Sequence, residues 1–270
     1  MTGKNNEAGY WDKIARGTSG ERDFDDLLAE QYRRTYLDLL ARWTDITTDQ
    51  VILKTDLFAE GLSSSRAFLW DILQSSGNVV GMDISAEIAS RARTQAVKYA
   101  PSMSAQYINC DVRQLPFDSN SFDLVISDST LDHFRHVNDI ITSLFELSRV
   151  LKPGGTLIIT MDNKSNLTDP MLRLWVSLGL YSVLLGKTYS IRELKSALDR
   201  VGLCVTDSTA IIHNPRFFVR RIVTLIRRIE PDRFNHRIRK SLAFWDGWEN
   251  RSTKYLTAQF IAARAVKPSD

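Results

Sequence analysis

Cysteine, glycine and long apolar runs are all scarce in this sequence of 270 residues. The two cysteines, Cys110 and Cys204, cannot form a disulfide scaffold, and neither lies in a C-x-x-C or Cys/His cluster that would hold structural zinc. No apolar run reaches the roughly 20 residues that span a bilayer, and the polar N-terminus has no apolar signal core. We therefore expect a cytoplasmic protein without a metal site.

The composition favours one globular unit. Hydrophobic residues make up 43% of the chain, aromatic residues 10% and charged residues 25%. These proportions support a packed core and exclude intrinsic disorder and collagen-like repeats. The length fits one large domain with additions. The formal net charge of +3 is small, but nine of the basic residues fall within residues 214–240.

The spacing of apolar residues changes along the chain. Over residues 22–44 apolar positions recur every three or four residues, which predicts an amphipathic helix. From residue 51 to residue 161, short apolar or β-branched runs alternate with helical segments. Such alternation is typical of a parallel sheet covered on both faces. The predicted class is therefore α/β, a doubly wound, Rossmann-like and mostly parallel sheet with helical additions at the N-terminal and C-terminal ends.

Each of the first five predicted strands ends at or next to an aspartate. In an open α/β sheet, ligands bind at the carboxyl ends of the strands. One aspartate there is common, because aspartate caps helices, but five in register favour a polar crevice for a ligand rich in hydroxyl and amino groups. The five are Asp56, Asp83, Asp111, Asp128 and Asp162.

Four segments carry a resemblance to a known family. They are residues 79–85 (VVGMDIS), 110–117 (CDVRQLPF), 121–128 (SFDLVISD) and 149–157 (RVLKPGGTL). In this order and spacing they resemble the motifs of class I S-adenosylmethionine-dependent methyltransferases of the type 11 group. The resemblance implies an enzyme that uses S-adenosylmethionine as its methyl donor.

The resemblance also implies roles for individual residues. Asp83, followed by Ile84, would hold both ribose hydroxyls of the cofactor. Asp111, followed by Val112, would accept a hydrogen bond from the adenine amino group. Further cofactor contacts are expected in the first loop and at the end of the fourth strand, from Asp56, Glu60, Gly61, Asp128 and Ser129.

The loop after the first strand departs from the family pattern. The family usually has an acid followed by a Gly-x-Gly-x-Gly run, which lets the backbone approach the cofactor. Here Lys54 stands in place of the acid, Asp56 and Phe58 replace glycines, and only Gly61 remains. Either Asp56 or Glu60 meets the cofactor's amino group or sulfonium in a reshaped loop, or the loop is degenerate and the site is inactive. The intact acids after the second and third strands favour the reshaped loop.

Methyl transfer from a sulfonium requires few catalytic groups from the protein. Methyl transfer from a sulfonium is an in-line displacement, so positioning contributes most of the rate. A hydroxyl or activated-carbon acceptor benefits from one base, and the catalytic candidates are Asp132 and His133, just past the fourth strand. The alternative is that either side chain caps the next helix. His213 is a second candidate base.

Three additions to the common sheet are candidates for substrate specificity. The first is the N-terminal helix. Residues 169–187 are apolar and form either a lid over the crevice or a core helix of a subdomain. Residues 214–240 interleave nine basic and two acidic residues with bulky apolar ones. That pattern is typical of an interfacial amphipathic helix, so a peripheral membrane contact is expected there; the alternative is a packed helix with a solvated arginine face. Nucleic acid is not expected, because no RNA-binding module is recognisable.

The expected organisation has six parts. They are an N-terminal helical cap (1–45), an S-adenosylmethionine-binding core (46–168), an apolar lid (169–189), a continuation of the core (190–213), a basic amphipathic insertion (214–250) and a final strand with a tail (251–270). The leading function is methyl transfer to a small-molecule acceptor that is apolar or lipid-like. The alternative is a non-catalytic S-adenosylmethionine-binding or partner protein on the same fold. A nicotinamide-dependent dehydrogenase is disfavoured, because the first loop lacks Gly-x-Gly-x-x-Gly.

Overall fold

One seven-stranded sheet organises the protein. The computed structural model describes residues 4–17, 26–101, 105–179, 186–215, 223 and 235–269. The strands are β1 (Val51–Thr55), β2 (Asn78–Asp83), β3 (Ala105–Asn109), β4 (Phe122–Asp128), β5 (Leu151–Asp162), β6 (Cys204–Ile211) and β7 (Phe260–Val266). Their order in the sheet is β3-β2-β1-β4-β5-β7-β6.

Strands β1 to β5 pair in parallel, and β7 lies antiparallel between β5 and β6. The predicted doubly wound, mostly parallel sheet is therefore confirmed. The chain builds outward from β1 to β3 in one direction and from β4 onward in the other. The switch point between β1 and β4 is where such a sheet opens a crevice at its carboxyl edge.

Helices connect the strands and flank the sheet. They are α1 (Lys4–Gly17), α2 (Asp26–Trp43), α3 (Phe58–Leu62), α4 (Leu69–Ser75), α5 (Ala86–Tyr99), α6 (Val137–Val150), α7 (Asp169–Ser177), α8 (Ile191–Arg200), α9 (Asn235–Asp246) and α10 (Lys254–Thr257), with 3₁₀ turns at Leu131–His133 and Gly247–Asn250. The helix predicted over 22–44 corresponds to α2, and residues 22–25 lie outside the described residues. Local sequence sets the helix starts: the Ser85 hydroxyl accepts from the Ile88 amide at the start of α5, and Ser190 and Glu193 form a capping box on α8.

Two hydrophobic clusters cover the two faces of the sheet. Successive residues of β1 point to opposite faces, so that Ile52 enters one cluster and Leu53 the other, both fully buried. Side chains of α2, α4 and α5 pack on the first face, and side chains of α6 and α8 pack on the second. Burying one such leucine or isoleucine contributes about 1.5–3 kcal/mol, so this double covering stabilises the sheet that carries the crevice.

The additions differ in how far the structure describes them. Helix α7 forms the first part of the apolar segment, and none of its side chains is buried. A core helix would bury one face, so helix α7 is not a core helix. Much of the basic segment, residues 216–222 and 224–234, lies outside the described residues. Among the helices that are described, none has the length and apolarity needed to cross a bilayer.

Candidate active site

A cleft opens at the carboxyl ends of β1, β2 and β3, beside the turn that follows β4. The space within it, including solvent at its open mouth, is about 600 Å³. Four carboxylates project among largely apolar walls. The lining residues are Glu7, Trp11, Asp56, Phe58, Met82, Asp83, Ile84, Ile88, Asp111, Val112, Thr130, His133 and Phe134.

Asp83 ends β2 and is held rigidly by the backbone. The amides of Leu57 and Ser85 donate to its two carboxylate oxygens at 2.9 and 2.8 Å. A carboxylate accepts about four hydrogen bonds, so further lone pairs remain for ligand hydroxyls. Burial raises the pKa of Asp83 to about 6, and the two amide donors oppose that rise. The carboxylate is therefore mostly ionised at neutral pH and can act as an acceptor.

Asp56 follows β1 in a backbone conformation that favours glycine. Its φ is +69°, which aspartate tolerates better than most residues, and its carboxylate accepts from the Phe58 amide at 2.8 Å. Burial, and then the negative charge of Asp83, raise its pKa well above the ordinary value. A cationic group bound beside these two acids would favour their ionised forms.

Lys54 and Glu60 form an ion pair beneath this loop. Their side chains are fully buried, and the ammonium lies 3.1 Å from the carboxylate. The ammonium also donates to the carbonyl of Asp56, and Glu60 accepts from the Leu69 amide at 3.2 Å. Burial lowers the pKa of Lys54, but the charges of Glu60, Asp128 and Asp56 outweigh it and hold this pKa above its ordinary value. Glu60 thus supports the loop from below and is not among the residues that line the cleft.

Asp111, past the end of β3, is paired within the protein. The Arg113 amide donates to it at 2.9 Å, and the Arg113 guanidinium donates at 3.0 and 2.8 Å. The same guanidinium donates to Glu7 of α1 at 2.7 Å and lies 4.7 Å from the ring of Phe134. An adenine amino group at this place would share Asp111 with Arg113.

Helix α1 covers the cleft. The ring of Trp11 lies 4.8 Å from that of His133 and 6.0 Å from that of Phe58. Asp12 accepts from the Ser85 hydroxyl and, at 3.2 Å, from the Glu87 amide at the start of α5. Sequence reasoning placed residues 4–17 within a helical cap (1–45) but did not foresee these contacts with the cleft. The one available signal was a pair of aromatic residues, Tyr10 and Trp11, in an otherwise polar stretch.

The two catalytic candidates occupy different environments. The ring of His133 lines the cleft, whereas Asp132 is 1% exposed. One oxygen of Asp132 accepts from the Ser129 hydroxyl at 2.8 Å and from the Asp162 amide at 2.6 Å. Its other oxygen has no partner among the described residues. Burial, and then the charge of Asp162, raise the pKa of Asp132 to about 6. Asp132 therefore ties the turn after β4 to the end of β5.

The capping alternative for these two residues is not seen. Helix α6 is preceded by His136, and no side chain caps it. His213 is buried away from the cleft, with ring nitrogens 2.8 Å from the Thr257 hydroxyl and 3.1 Å from the Ala210 carbonyl. Burial lowers the pKa of His213.

The cleft brings together only part of the predicted cofactor set. Asp56, Asp83, Ile84, Asp111 and Val112 line it, and Glu60, Gly61, Asp128 and Ser129 are not among its lining residues. Gly61 packs on α5, where an added Cβ would lie 3.0 Å from the Ile88 carbonyl oxygen.

The end of β4 is occupied by α2. Asp128 accepts a hydrogen bond from the Tyr32 hydroxyl, and the Tyr36 hydroxyl lies 2.7 Å from that of Thr160. The guanidinium of Arg66 lies 3.8 Å from the centre of the Tyr32 ring. Sequence reasoning placed both tyrosines on an apolar helix face and could not foresee that their hydroxyls reach the sheet.

Comparison with known proteins identifies a domain within the chain. Residues 61–159 match the family model described as a methyltransferase domain. The chain is 38% identical over 107 residues to a 2-phytyl-1,4-naphtoquinone methyltransferase of Nostoc punctiforme, a match covering 39% of this chain and 44% of that relative. It is 34% identical over 97 residues to the ubiquinone/menaquinone biosynthesis C-methyltransferase UbiE of Hahella chejuensis, covering 36% of this chain and 37% of that relative. The chain therefore spans less than half the length of each of these two relatives.

The fold comparison extends over more of the chain. An S-adenosylmethionine-dependent methyltransferase from Mesorhizobium loti superimposes with a TM-score of 0.58 at 16% identity, covering 86% of this chain and 97% of that one. At this identity the likeness concerns the fold.

Proposed function

Since the chain carries a class I S-adenosylmethionine-dependent methyltransferase domain, we propose that it transfers a methyl group from S-adenosylmethionine to a lipid-like acceptor of the quinone class. The observation that carries this proposal is the acid-lined cleft at the carboxyl ends of β1 to β3, with His133 in its wall. The cleft would hold the cofactor, and the imidazole in its wall would serve as the base.

The residues of the cleft fit the cofactor. Asp83 is anchored by two amides, and its remaining lone pairs suit the two ribose hydroxyls. Ile84 and Val112 supply apolar contacts for the adenine ring, and Asp111 is an acceptor for its amino group. The carboxylate of Asp56 suits a cation, which matches a ligand carrying an ammonium and a sulfonium.

When bound, S-adenosylmethionine supplies a methyl group that is already activated for displacement. The protein's part is then to hold the acceptor in line and to remove one proton. We assign the proton to a ring nitrogen of His133, whose ring packs on Trp11. Asp132 acts as a positioning residue, because its bonds to Ser129 and Asp162 hold the turn that carries His133.

The choice of acceptor has two supports. The two relatives are named for methyl transfer to a phytylnaphthoquinone and for ubiquinone/menaquinone biosynthesis. The cleft also offers aromatic walls from Trp11, Phe58 and Phe134, which suit a flat, apolar ring. A peripheral membrane contact through 214–240 stays part of the proposal on the strength of its sequence, because most of that segment lies outside the described residues.

The test is product formation from a defined acceptor. Purified protein is incubated with methyl-labelled S-adenosylmethionine and detergent-dispersed demethylmenaquinol, and the product is identified by mass spectrometry. The proposal predicts one labelled methyl group on the quinol. Calorimetry distinguishes the two ways in which the proposal can fail. Absence of cofactor binding at millimolar S-adenosylmethionine refutes the methyltransferase function. Cofactor binding without methylation of a panel of reduced quinones refutes the proposed acceptor. The latter result would favour the non-catalytic alternative, which no present observation supports.

A further inference from the structure

Five large apolar side chains are exposed on segments beyond the common sheet. Each of these residues is between 44% and 71% exposed. We call this set the apolar rim: Leu167, Leu174, Leu178, Phe244 and Leu256. A group of this kind on several adjoining segments is a feature of interaction surfaces.

Direct contacts join the segments that carry the rim. The Leu167 amide donates to the Leu256 carbonyl at 2.9 Å, so the two leucines are neighbours in space. The ring of Phe244 lies 6.0 Å from that of Trp248, and the guanidinium of Arg251 lies 4.7 Å from the same Trp248 ring. These contacts place Leu167 beside Leu256 and Phe244 near Trp248 and Arg251, and Leu174 and Leu178 follow Leu167 along the chain on α7 and at its end.

The rim lies at the same edge of the sheet as the cleft. The last residue of β5, Asp162, pairs with Phe260, the first residue of β7. Leu167 comes soon after Asp162, and Leu256 comes shortly before Phe260. Both leucines are thus at the carboxyl end of β5, which runs parallel to the strands whose carboxyl ends form the cleft.

The surroundings of the rim are basic. Residues 235–257 contain five basic and two acidic residues. Both acids are paired with arginines of α2: Asp246 with Arg34 and Glu249 with Arg42, each at 2.9 Å. The acids are thus compensated locally, as is Arg239 by Glu30 of α2 at 2.7 Å, and the exposed Arg251 adds positive charge next to the rim.

Exposed leucines and an aromatic ring among basic side chains are the combination that binds the interface of an anionic bilayer. We infer that the apolar rim docks this protein on the surface of an anionic lipid bilayer, with the mouth of the cleft beside the membrane. This inference rests on the proposed function, because a lipid-like acceptor would then reach the cleft from the bilayer.

The first experiment measures binding to vesicles by flotation, using the full chain. Vesicles of equal parts phosphatidylcholine and phosphatidylglycerol are compared with vesicles of phosphatidylcholine alone. We expect binding to the anionic vesicles that weakens with added salt, because the basic side chains contribute to it. No binding to anionic vesicles would overturn the inference.

A variant locates the surface. The triple variant Leu167→Ser, Phe244→Ser and Leu256→Ser removes three exposed apolar side chains, and we expect its vesicle partition coefficient to fall at least about tenfold. The matched control is Val97→Ser with Phe145→Ser, which changes one exposed aliphatic and one exposed aromatic residue on α5 and α6, outside the rim. We expect unchanged partitioning for the control. Equal partitioning of the rim variant and the wild type would overturn the inference and assign the contact to another surface.

Two further readouts keep this result apart from the proposed function. Cofactor affinity and methylation of the detergent-dispersed acceptor should be unchanged in the rim variant, because no rim residue lines the cleft. Methylation without vesicle binding would overturn the docking surface and leave the function standing. Sedimentation can show that the wild type is a dimer and the rim variant a monomer. If vesicle binding is also unchanged, the membrane-docking inference is overturned and the rim is a contact between copies of the chain.

Discussion

The ammonium of Lys54 lies 3.1 Å from the carboxylate of Glu60, and both side chains are fully buried. In the resembling family an acid usually stands at the position of Lys54 and is followed by a Gly-x-Gly-x-Gly run. The chain therefore carries a compensated pair of charges in a loop where that family usually has a glycine-rich turn. This pair, with the Leu69 amide on Glu60, offers a physical reason why a loop with few glycines can keep a defined shape.

Breaking that pair should be costly, and removing both charges should not. Lys54→Met or Glu60→Leu alone leaves an uncompensated buried charge, so we expect each to lower the free energy of unfolding by about 3–5 kcal/mol. The double variant should recover most of the loss, because neither member of the pair is then left buried without the other. Urea unfolding of the four proteins forms a double-mutant cycle. Additive losses would show that the two side chains do not stabilise the fold as a pair.

Asp83→Asn tests the ribose assignment. Loss of a charged acceptor should weaken S-adenosylmethionine binding by about 1–3 kcal/mol, as measured by calorimetry. Binding by the wild type should also weaken as the pH falls through about 6, where Asp83 becomes protonated, and the variant should lack this dependence. Asp199→Asn, an exposed change on α8, is the control. Equal affinities of Asp83→Asn and wild type would remove Asp83 from the site.

Asp132→Asn should stabilise the protein at alkaline pH. The folded-state pKa of Asp132 is about 6, above the ordinary value of about 4, so folding favours the protonated form. The contribution of the protonated Asp132 carboxyl group to the stability of the fold is present below pH about 4 and is lost as the pH rises through about 6. The amide does not titrate and can keep the bonds to Ser129 and Asp162. We expect the free energy of unfolding of the variant to exceed that of the wild type by about 2–3 kcal/mol at pH 8 and to equal it near pH 4.

Urea unfolding across this pH range checks the expectation. A pH-independent difference between Asp132→Asn and wild type would mean that the carboxyl group does not titrate abnormally.

His133→Ala separates catalysis from structure. If the imidazole accepts the acceptor's proton, kcat should fall about 10²–10⁴-fold while the cofactor dissociation constant stays unchanged. The control, His236→Ala, alters an exposed histidine of α9 and should leave kcat as it is. Full turnover by His133→Ala with a normal pH profile would refute the base.

Glu7→Gln should loosen α1. It removes the charge that faces Arg113 across 2.7 Å, while Arg113 keeps its bonds to Asp111. We expect faster hydrogen exchange of the α1 amides and faster cofactor release in stopped-flow measurements, because α1 covers the cleft. Unchanged exchange and release would show that this ion pair does not hold the helix in place.

Local sequence was sufficient where local forces decide. The alternation of apolar strands with helices predicts the parallel sheet, and Ser85 and Ser190 start the helices that the cap pattern predicts. The aspartates after the strands come to one edge because parallel strands all end there. These features follow from backbone periodicity and from hydrogen bonds within a few residues, both of which can be read along the chain.

Which aspartates line the cleft was decided by tertiary contacts. Asp83 and Asp56 face the cleft, whereas Asp128 is bonded to Tyr32, which precedes it by 96 residues. Glu60 reads as a candidate ligand in sequence but is neutralised below the loop by Lys54. The end of a strand determines where a carboxylate is attached to the backbone. Its hydrogen-bonding or ionic partner determines whether that carboxylate faces the cleft.

The sequence by itself determined the fold class, the edge of the sheet where the cleft opens and the family that the chain resembles. Only the tertiary structure decided that α1 covers the cleft, that His133 and not Asp132 lines it, and that Leu167 and Leu256 lie exposed at the same edge of the sheet. The physical reason is distance along the chain. Arg113 meets Glu7 across 106 residues, and such pairings depend on how packed elements meet, which no local pattern encodes.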